Sequence, residues 1–204
     1  MRSAVVIAGG RSTRFGDADK AVARLAGTPM IRRVADRLAA VVDELVVNCR
    51  VDQRAAIEAA MADYPLSVRF ALDDDTDEGP MAGIGTGLAA CEGEYAVVVA
   101  CDMPFVDPDV VAYLFERAED EGVDAAVPKL DDGWYQTTQA VYRTEAMATA
   151  CENALARGDR KILAPLEELE WLVVDEAAID VHGDLDTFEN LNTREEFADA
   201  QSRF

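Results

Sequence analysis

The sequence predicts an α/β fold, a mostly parallel sheet with helices on both faces. Three observations lead there. Short β-branched runs alternate with segments of helical period along the chain. The runs are almost continuously apolar, as strands buried on both faces require. Several of them also end abruptly in glycine, amide or carboxylate residues, the pattern of strands that stop at a ligand-binding rim.

In chain order, residues 4–7 (AVVI) form the first strand, which breaks at Ala8-Gly9-Gly10. Residues 30–41 carry a helical period, with Arg32, Arg33 and Arg37 on a polar face. A strand over 45–48 ends in Asn48, and a helix is expected over 53–62. The run 67–72 leads into Asp73-Asp74, and a helix follows over 81–91. The run 96–100 leads into Cys101-Asp102, with a helix over 108–121, a strand over 125–127 and a helix over 144–157. Right-handed crossovers then set the loops after the strands along one edge. Strand ends meet water and are often polar, but a glycine pair, an amide and carboxylates on one rim read together as a site. Residues 130–143 and 175–192 are less regular and read as excursions from a single domain spanning 1–204.

Half of the residues are hydrophobic, which excludes a disordered tail. No apolar stretch is long enough for a bilayer crossing, and the first residues run into a strand pattern rather than a signal peptide, so a cytoplasmic protein with no membrane role is expected. Forty acidic residues against 19 basic ones leave a net charge of −21, the wrong sign for nucleic acid. Spread along the chain, that excess suits a halophilic surface whose self-repulsion salt screens. Residues 1–37 invert it: eight Arg and Lys face three Asp, a net of +5, so the other 167 residues carry −26. Cations gathered around the first loop suggest an anion there, or an exposed basic helix face.

Cys49, Cys91, Cys101 and Cys151 are far apart, and His182 is the lone histidine, so neither a zinc site nor a disulfide framework is expected. Cys49 and Cys101 end strand-like runs and read as small buried hydrophobes. His182 reads as a surface residue, and Trp134-Tyr135 as a loop pair that either stacks on a flat ring or packs.

Gly9 and Gly10 free the backbone for close approach of a ligand, and successive N–H groups in such a loop make an anion-binding concavity. Gly16 is followed by Asp17, so the P-loop pattern is absent, and so is the G-x-G-x-x-G fingerprint. With Arg14 and Lys20 the loop has the means to bind a triphosphate.

The stretch IAGGRSTRFGDADKAVARLAGTPM resembles the signature of the nucleotidyltransferase family typified by molybdenum cofactor guanylyltransferase. The match lies in Ala8-Gly9-Gly10, Arg14, Phe15-Gly16, Asp19-Lys20, Gly27 and Pro29-Met30. Further on, Gly79-Pro80-Met81-Ala82-Gly83, Cys101-Asp102-Met103-Pro104, Gly158-Asp159-Arg160-Lys161 and Phe188-Glu189-Asn190-Leu191-Asn192-Thr193 are similar to later segments of that family, in the same order. The resemblance implies one three-layer, Rossmann-like nucleotidyltransferase domain of the GT-A-like kind. Residues 1–105 would mainly bind nucleotide and 106–204 mainly the acceptor.

The implied reaction is transfer of GMP from GTP to the phosphate of molybdopterin or Mo-molybdopterin, with release of pyrophosphate. A cytidylyltransferase on the same cofactor, a guanylyltransferase on a cobamide precursor or other phosphorylated acceptor, and an inactive nucleotide-binding partner are the alternatives. Asp102 would ligate Mg²⁺, and Arg14 and Lys20 would neutralise the triphosphate. Ile7, Ala8, Gly9, Gly10 and Asn48 would bind the nucleotide with a carboxylate from Asp73, Asp74 or Asp75, of which Asp74 is chosen. Arg160 and Lys161 would take the acceptor phosphate, and Asn190 and Asn192 its pterin. Thr137-Thr138-Gln139 replaces the family's proline and histidine, and Gln139 is expected as an acceptor contact. Transient contact with other molybdenum cofactor biosynthesis proteins is also implied.

Overall fold

The strand ends define one rim because six parallel strands and one returning strand fall into register across a single sheet. The computed structural model describes residues 1–10, 19–73 and 79–204. Its strands are β1 (Arg2–Ile7), β2 (Arg24–Leu25), β3 (Thr28–Pro29), β4 (Glu44–Arg50), β5 (Val68–Asp73), β6 (Tyr95–Ala100), β7 (Ala125–Lys129), β8 (Gln139–Arg143) and β9 (Trp171–Asp175). Its helices are α1 (Met30–Leu38), α2 (Arg54–Ala60), α3 (Pro80–Ala89), α4 (Pro108–Glu121), α5 (Thr144–Ala156), α6 (Glu176–His182) and α7 (Arg194–Ala200). The main sheet runs β5-β4-β1-β6-β8-β7-β9. Within it β8 is antiparallel to both neighbours, and all other pairings are parallel.

Alternation along each strand divides the core in two. Val6, Val47, Val97 and Val99 face one way and pack with Ile31 and Leu38 of α1, Ile57 of α2, Leu114 and Phe115 of α4 and Ile179 of α6. Val5, Val46 and Val98 face the other way and meet Met81, Ile84 and Leu88 of α3 and Met147 and Cys151 of α5. The result is the expected three-layer α/β arrangement. A smaller cluster of Leu25, Met30, Phe105, Leu191 and Phe197 joins the β2–β3 hairpin to α7. That hairpin turns through Ala26 and Gly27, both with positive φ (45° and 83°), the geometry that a two-residue connection needs.

Helix ends follow their capping chemistry. Asp107 accepts from Asp109 N, Pro108 starts α4, and Gly122 closes it at φ 66°, so the expected bounds are met. Helix α1 stops at Leu38, short of the expected residue 41, and α2 is shorter at both ends.

The irregular stretches need correction. Residues 139–143 form β8, a buried strand between β6 and β7, and 176–182 form α6. QAVYR offers only three apolar residues, and its burial comes from sheet neighbours on both sides rather than from its own pattern. Strand β9, at the sheet edge, is a further strand that the sequence reading did not include. Because β6 pairs with β8, the two halves of the chain share one sheet.

Candidate active site

Register alone brings the candidate residues together. Ile7 lies opposite both Asn48 and Ala100, and Arg50 lies opposite Asp73. The ladder continues past the strands through Ala8 N to Asn48 O (2.8 Å) and Cys101 N to Ile7 O (3.0 Å). Gly9, Asn48, Asp73 and Asp102 therefore occur at the C-terminal ends of β1, β4, β5 and β6, on one rim.

Asn48 is fully buried there. Its Nδ2 donates to Asp73 Oδ1 at 2.6 Å and to Ala71 O at 3.2 Å, while its Oδ1 is buried without a partner among the described residues. Two glycines crowd this group. A Cβ at Gly83 would lie 2.4 Å from Asn48 Oδ1, and one at Gly9 would lie 2.5 Å from Asp73 Oδ2. Gly83 sits in α3, which starts after Gly79 at φ 82°, a conformation that suits glycine, with Pro80 in its first turn. The small residues thus let α3 approach the rim closely.

On the other side of β1, Asp19 caps a short 3₁₀ turn, Lys20–Val22, by accepting from Ala21 N at 3.0 Å. That turn carries Lys20 inward, to 6% exposure. Lys20 Nζ donates to Asp102 Oδ2 at 2.8 Å and to Asn192 Oδ1 at 3.2 Å. The backbone of the same segment closes the cluster, since Leu191 N donates to Asp102 O at 2.9 Å. Asp102 Oδ1 is buried and has no hydrogen-bond partner among the described residues. A buried acceptor without a donor is costly, and it marks a place where a cation or a donor from a ligand fits. Among the described residues no three His, Cys, Asp or Glu converge as a metal cluster, so a cation here would have Asp102 as its protein anchor.

Other expectations fall differently. Arg14 and Asp74 lie outside the described residues, as does Arg11. Ile7 and Gly9 are half-buried, Ala8 is buried and Gly10 is exposed. Asn192 meets Lys20, whereas Asn190 donates to Phe188 O at 3.2 Å. Arg160 and Lys161 are exposed after α5, with Lys161 N bonded to Asp159 at 3.0 Å. Gln139 is fully buried in β8, where its Nε2 reaches Thr187 Oγ1 at 2.5 Å and its Oε1 is buried with no hydrogen-bond partner among the described residues.

The cations near the first loop also sort themselves. Arg33 donates to Leu25 O and Ala26 O, Arg37 to Pro104 O, and Arg32 to Asp36 and Ala62 O, so the α1 arginines serve the fold. Cys49 is fully buried and Cys101 partly so. Tyr135 packs edge-on against Trp171 at 5.5 Å while Trp134 is exposed. His182 is exposed and stacks on Tyr113 at 3.7 Å. Sequence reasoning missed Gln53 and Arg50, which hold the start of the glycine loop. A groove of about 580 Å³ between α3 and α5 shares none of the rim residues named above.

Comparison with known proteins agrees with this geometry. Residues 4–170 match the profile of the MobA-like NTP transferase domain. A protein of Natronomonas pharaonis named probable molybdenum cofactor guanylyltransferase is 50% identical over 202 residues, covering 99% of this chain and 98% of that protein. A protein of the same name from Haloferax mediterranei is 37% identical, covering 99% and 94%. The crystal structure of molybdopterin-guanine dinucleotide biosynthesis protein A from Archaeoglobus fulgidus superposes with a TM-score of 0.79 at 30% identity, covering 98% of this chain and 97% of that one. With a rim built on Gly9, Lys20, Asn48 and Asp102 and these relatives spanning its length, the chain belongs to the MobA-like NTP transferase family.

Proposed function

We propose that this nucleotidyltransferase moves GMP from GTP to the phosphate of molybdopterin, or of its molybdenum-loaded form, and releases pyrophosphate. The observation that carries the reading is the meeting of Lys20, Asp102 and Asn192 beside the glycine pair that ends β1. The names of the full-length relatives support the choice of substrates.

The acceptor phosphate is anionic at neutral pH, so attack on the α-phosphorus needs placement more than a base. Lys20, and Arg14 beyond the described residues, would offset charge on the departing pyrophosphate. Asp102 is suited to hold Mg²⁺, because its buried Oδ1, unpartnered among the described residues, is a hard donor of the kind that ion takes alongside phosphate oxygens and water. Bound there, the ion would neutralise triphosphate charge. Asn48 and a carboxylate of the Asp73-Asp74 pair would read guanine, whose N1–H and N2–H₂ donors match a carboxylate. Arg160, Lys161 and Asn190 would serve the acceptor. Among the described residues no helix is long and apolar enough to cross a membrane, and we place the reaction in the cytoplasm.

The test is pyrophosphate release from each of the four nucleoside triphosphates with Mg²⁺, with and without molybdopterin, at high salt. GTP should be consumed fastest, and only with the acceptor present. Faster turnover of CTP would overturn the base assignment, and release that ignored molybdopterin would overturn the acceptor.

A further inference from the structure

One buried side chain holds both Ala8 and Asp19. Gln53, preceding α2, is 3% exposed, and both its amide donors and its oxygen are engaged. Its Nε2 donates to Ala8 O at 3.0 Å and to Asp19 Oδ2 at 2.8 Å, and its Oε1 accepts from Arg50 N at 3.1 Å. Ala8 immediately precedes the glycine pair, and Asp19 immediately precedes Lys20. One buried amide therefore ties together both ends of the segment 8–19.

Its partners fix directions as well as positions. A trans peptide sets C=O and N–H on opposite sides. With Ala8 O held by Gln53, the N–H of Gly9 points away from Gln53. Arg50 repeats the device one residue on, since its Nη1 donates to Gly9 O at 2.9 Å and to Gly10 O at 3.0 Å. The N–H of Gly10 is thereby turned away from Arg50. At the far end, Gln53 holds one oxygen of Asp19 while the other caps the turn that delivers Lys20 to Asp102.

We propose that Gln53 is a positioning residue of the nucleotide site, aligning the Gly9 and Gly10 amides and Lys20 for one triphosphate. This rests on the reading of that rim as a GTP site. A simple packing role would lower stability without singling out the nucleotide. Two variants separate these. In Gln53→Leu the amide is lost at nearly constant volume. In Gln53→Glu a carboxylate faces that of Asp19, and two acids so close share a proton, which raises an apparent pKa.

The measurement is calorimetric binding of GTP with Mg²⁺ and no acceptor, together with KM for GTP and for molybdopterin. Gln53→Leu should weaken GTP about tenfold, the loss expected of one hydrogen bond to a charged group, and leave KM for molybdopterin unchanged. Gln53→Glu should bind GTP poorly at pH 8 and approach the parent protein as pH falls to 6. Binding by both variants within about twofold of the parent at pH 8 would overturn the positioning role. If the parent itself bound no GTP, the nucleotide reading would fall and this inference with it. Should Gln53→Leu fail to fold, the pH response of Gln53→Glu, scored against the parent at each pH, decides the question.

Discussion

Lys20 Nζ lies 2.8 Å from Asp102 Oδ2, joining two strand-end segments 82 residues apart. Removing both charges from water is expensive, and such a pair adds little to stability by itself. The pair uses one oxygen of Asp102 and leaves Oδ1 buried with no hydrogen-bond partner among the described residues.

Asp102→Asn keeps the shape and an acceptor for Lys20 but removes the charge. We expect kcat/KM to fall at least ~100-fold. Lys20 would keep a buried charge without its counter-ion, so the cost in stability should be about 3–5 kcal/mol, or roughly 6–20 °C in Tm. Pyrophosphate release and thermal melts on the same preparation check this, and retained turnover would remove Asp102 from the chemistry.

Gly83→Ala tests the close approach of α3. Alanine is the better helix former by about 1 kcal/mol. The added Cβ would nevertheless sit 2.4 Å from Asn48 Oδ1, in a fully buried group that cannot easily retreat. Overpacking of that kind costs about 1–3 kcal/mol, so the net effect is a lower Tm. Displacing Asn48 also disturbs Asp73, and the preference for GTP over CTP should narrow. A variant with higher Tm and intact preference would show the contact to be soft.

At the opposite end of the sheet, buried Glu44 accepts from the Ser3 hydroxyl (2.6 Å), Glu92 N (2.6 Å) and Gly93 N (3.2 Å), with Arg69 3.6 Å away. Burial pushes its pKa up, but the hydrogen bonds and Arg69 prevail and hold it below the ordinary 4.5. On acidification the unfolded chain takes up this proton first. The stabilisation is thus complete above pH 4.5 and is lost as pH falls through the lower folded value. Glu44→Gln should cost about 1–3 kcal/mol at pH 7, with the gap to the parent closing below that carboxylate range. Denaturant melts from pH 7 to pH 3 check it; a gap independent of pH would contradict the assignment.

Burial raises the thiol pKa of Cys49 to about 11, aided by the charge of Asp73, and that of Cys151 to about 12. At pH 8 about one thiol in a thousand or fewer is then ionised, and iodoacetamide needs the thiolate. Mass spectrometry should find both sites unmodified in the folded protein and alkylated after denaturation. Rapid labelling of Cys49 in the native state would show that the rim opens.

How much of this was legible beforehand depends on which contacts are local. Each apolar run reports its own burial, so the α/β order, the rim of strand ends and the candidates Lys20, Asn48 and Asp102 could be read from the chain with the help of the family signature. The N-cap, proline and glycine that bound α4 act within a few residues, and its ends were read correctly.

Long-range pairing was invisible. QAVYR looks irregular until β6 and β7 flank it, and only then is Gln139 seen to meet Thr187, 48 residues away. Gln53 gave no signal, since an amide before a helix is commonplace; its partners Ala8 and Asp19 are 45 and 34 residues distant. By itself, then, the sequence determined the layers and the rim, because hydrophobic periodicity is a property of each segment. Only the tertiary structure decided which polar groups share a hydrogen bond, because that follows from sheet register and crossover path, and a buried polar atom must take whichever partner they bring.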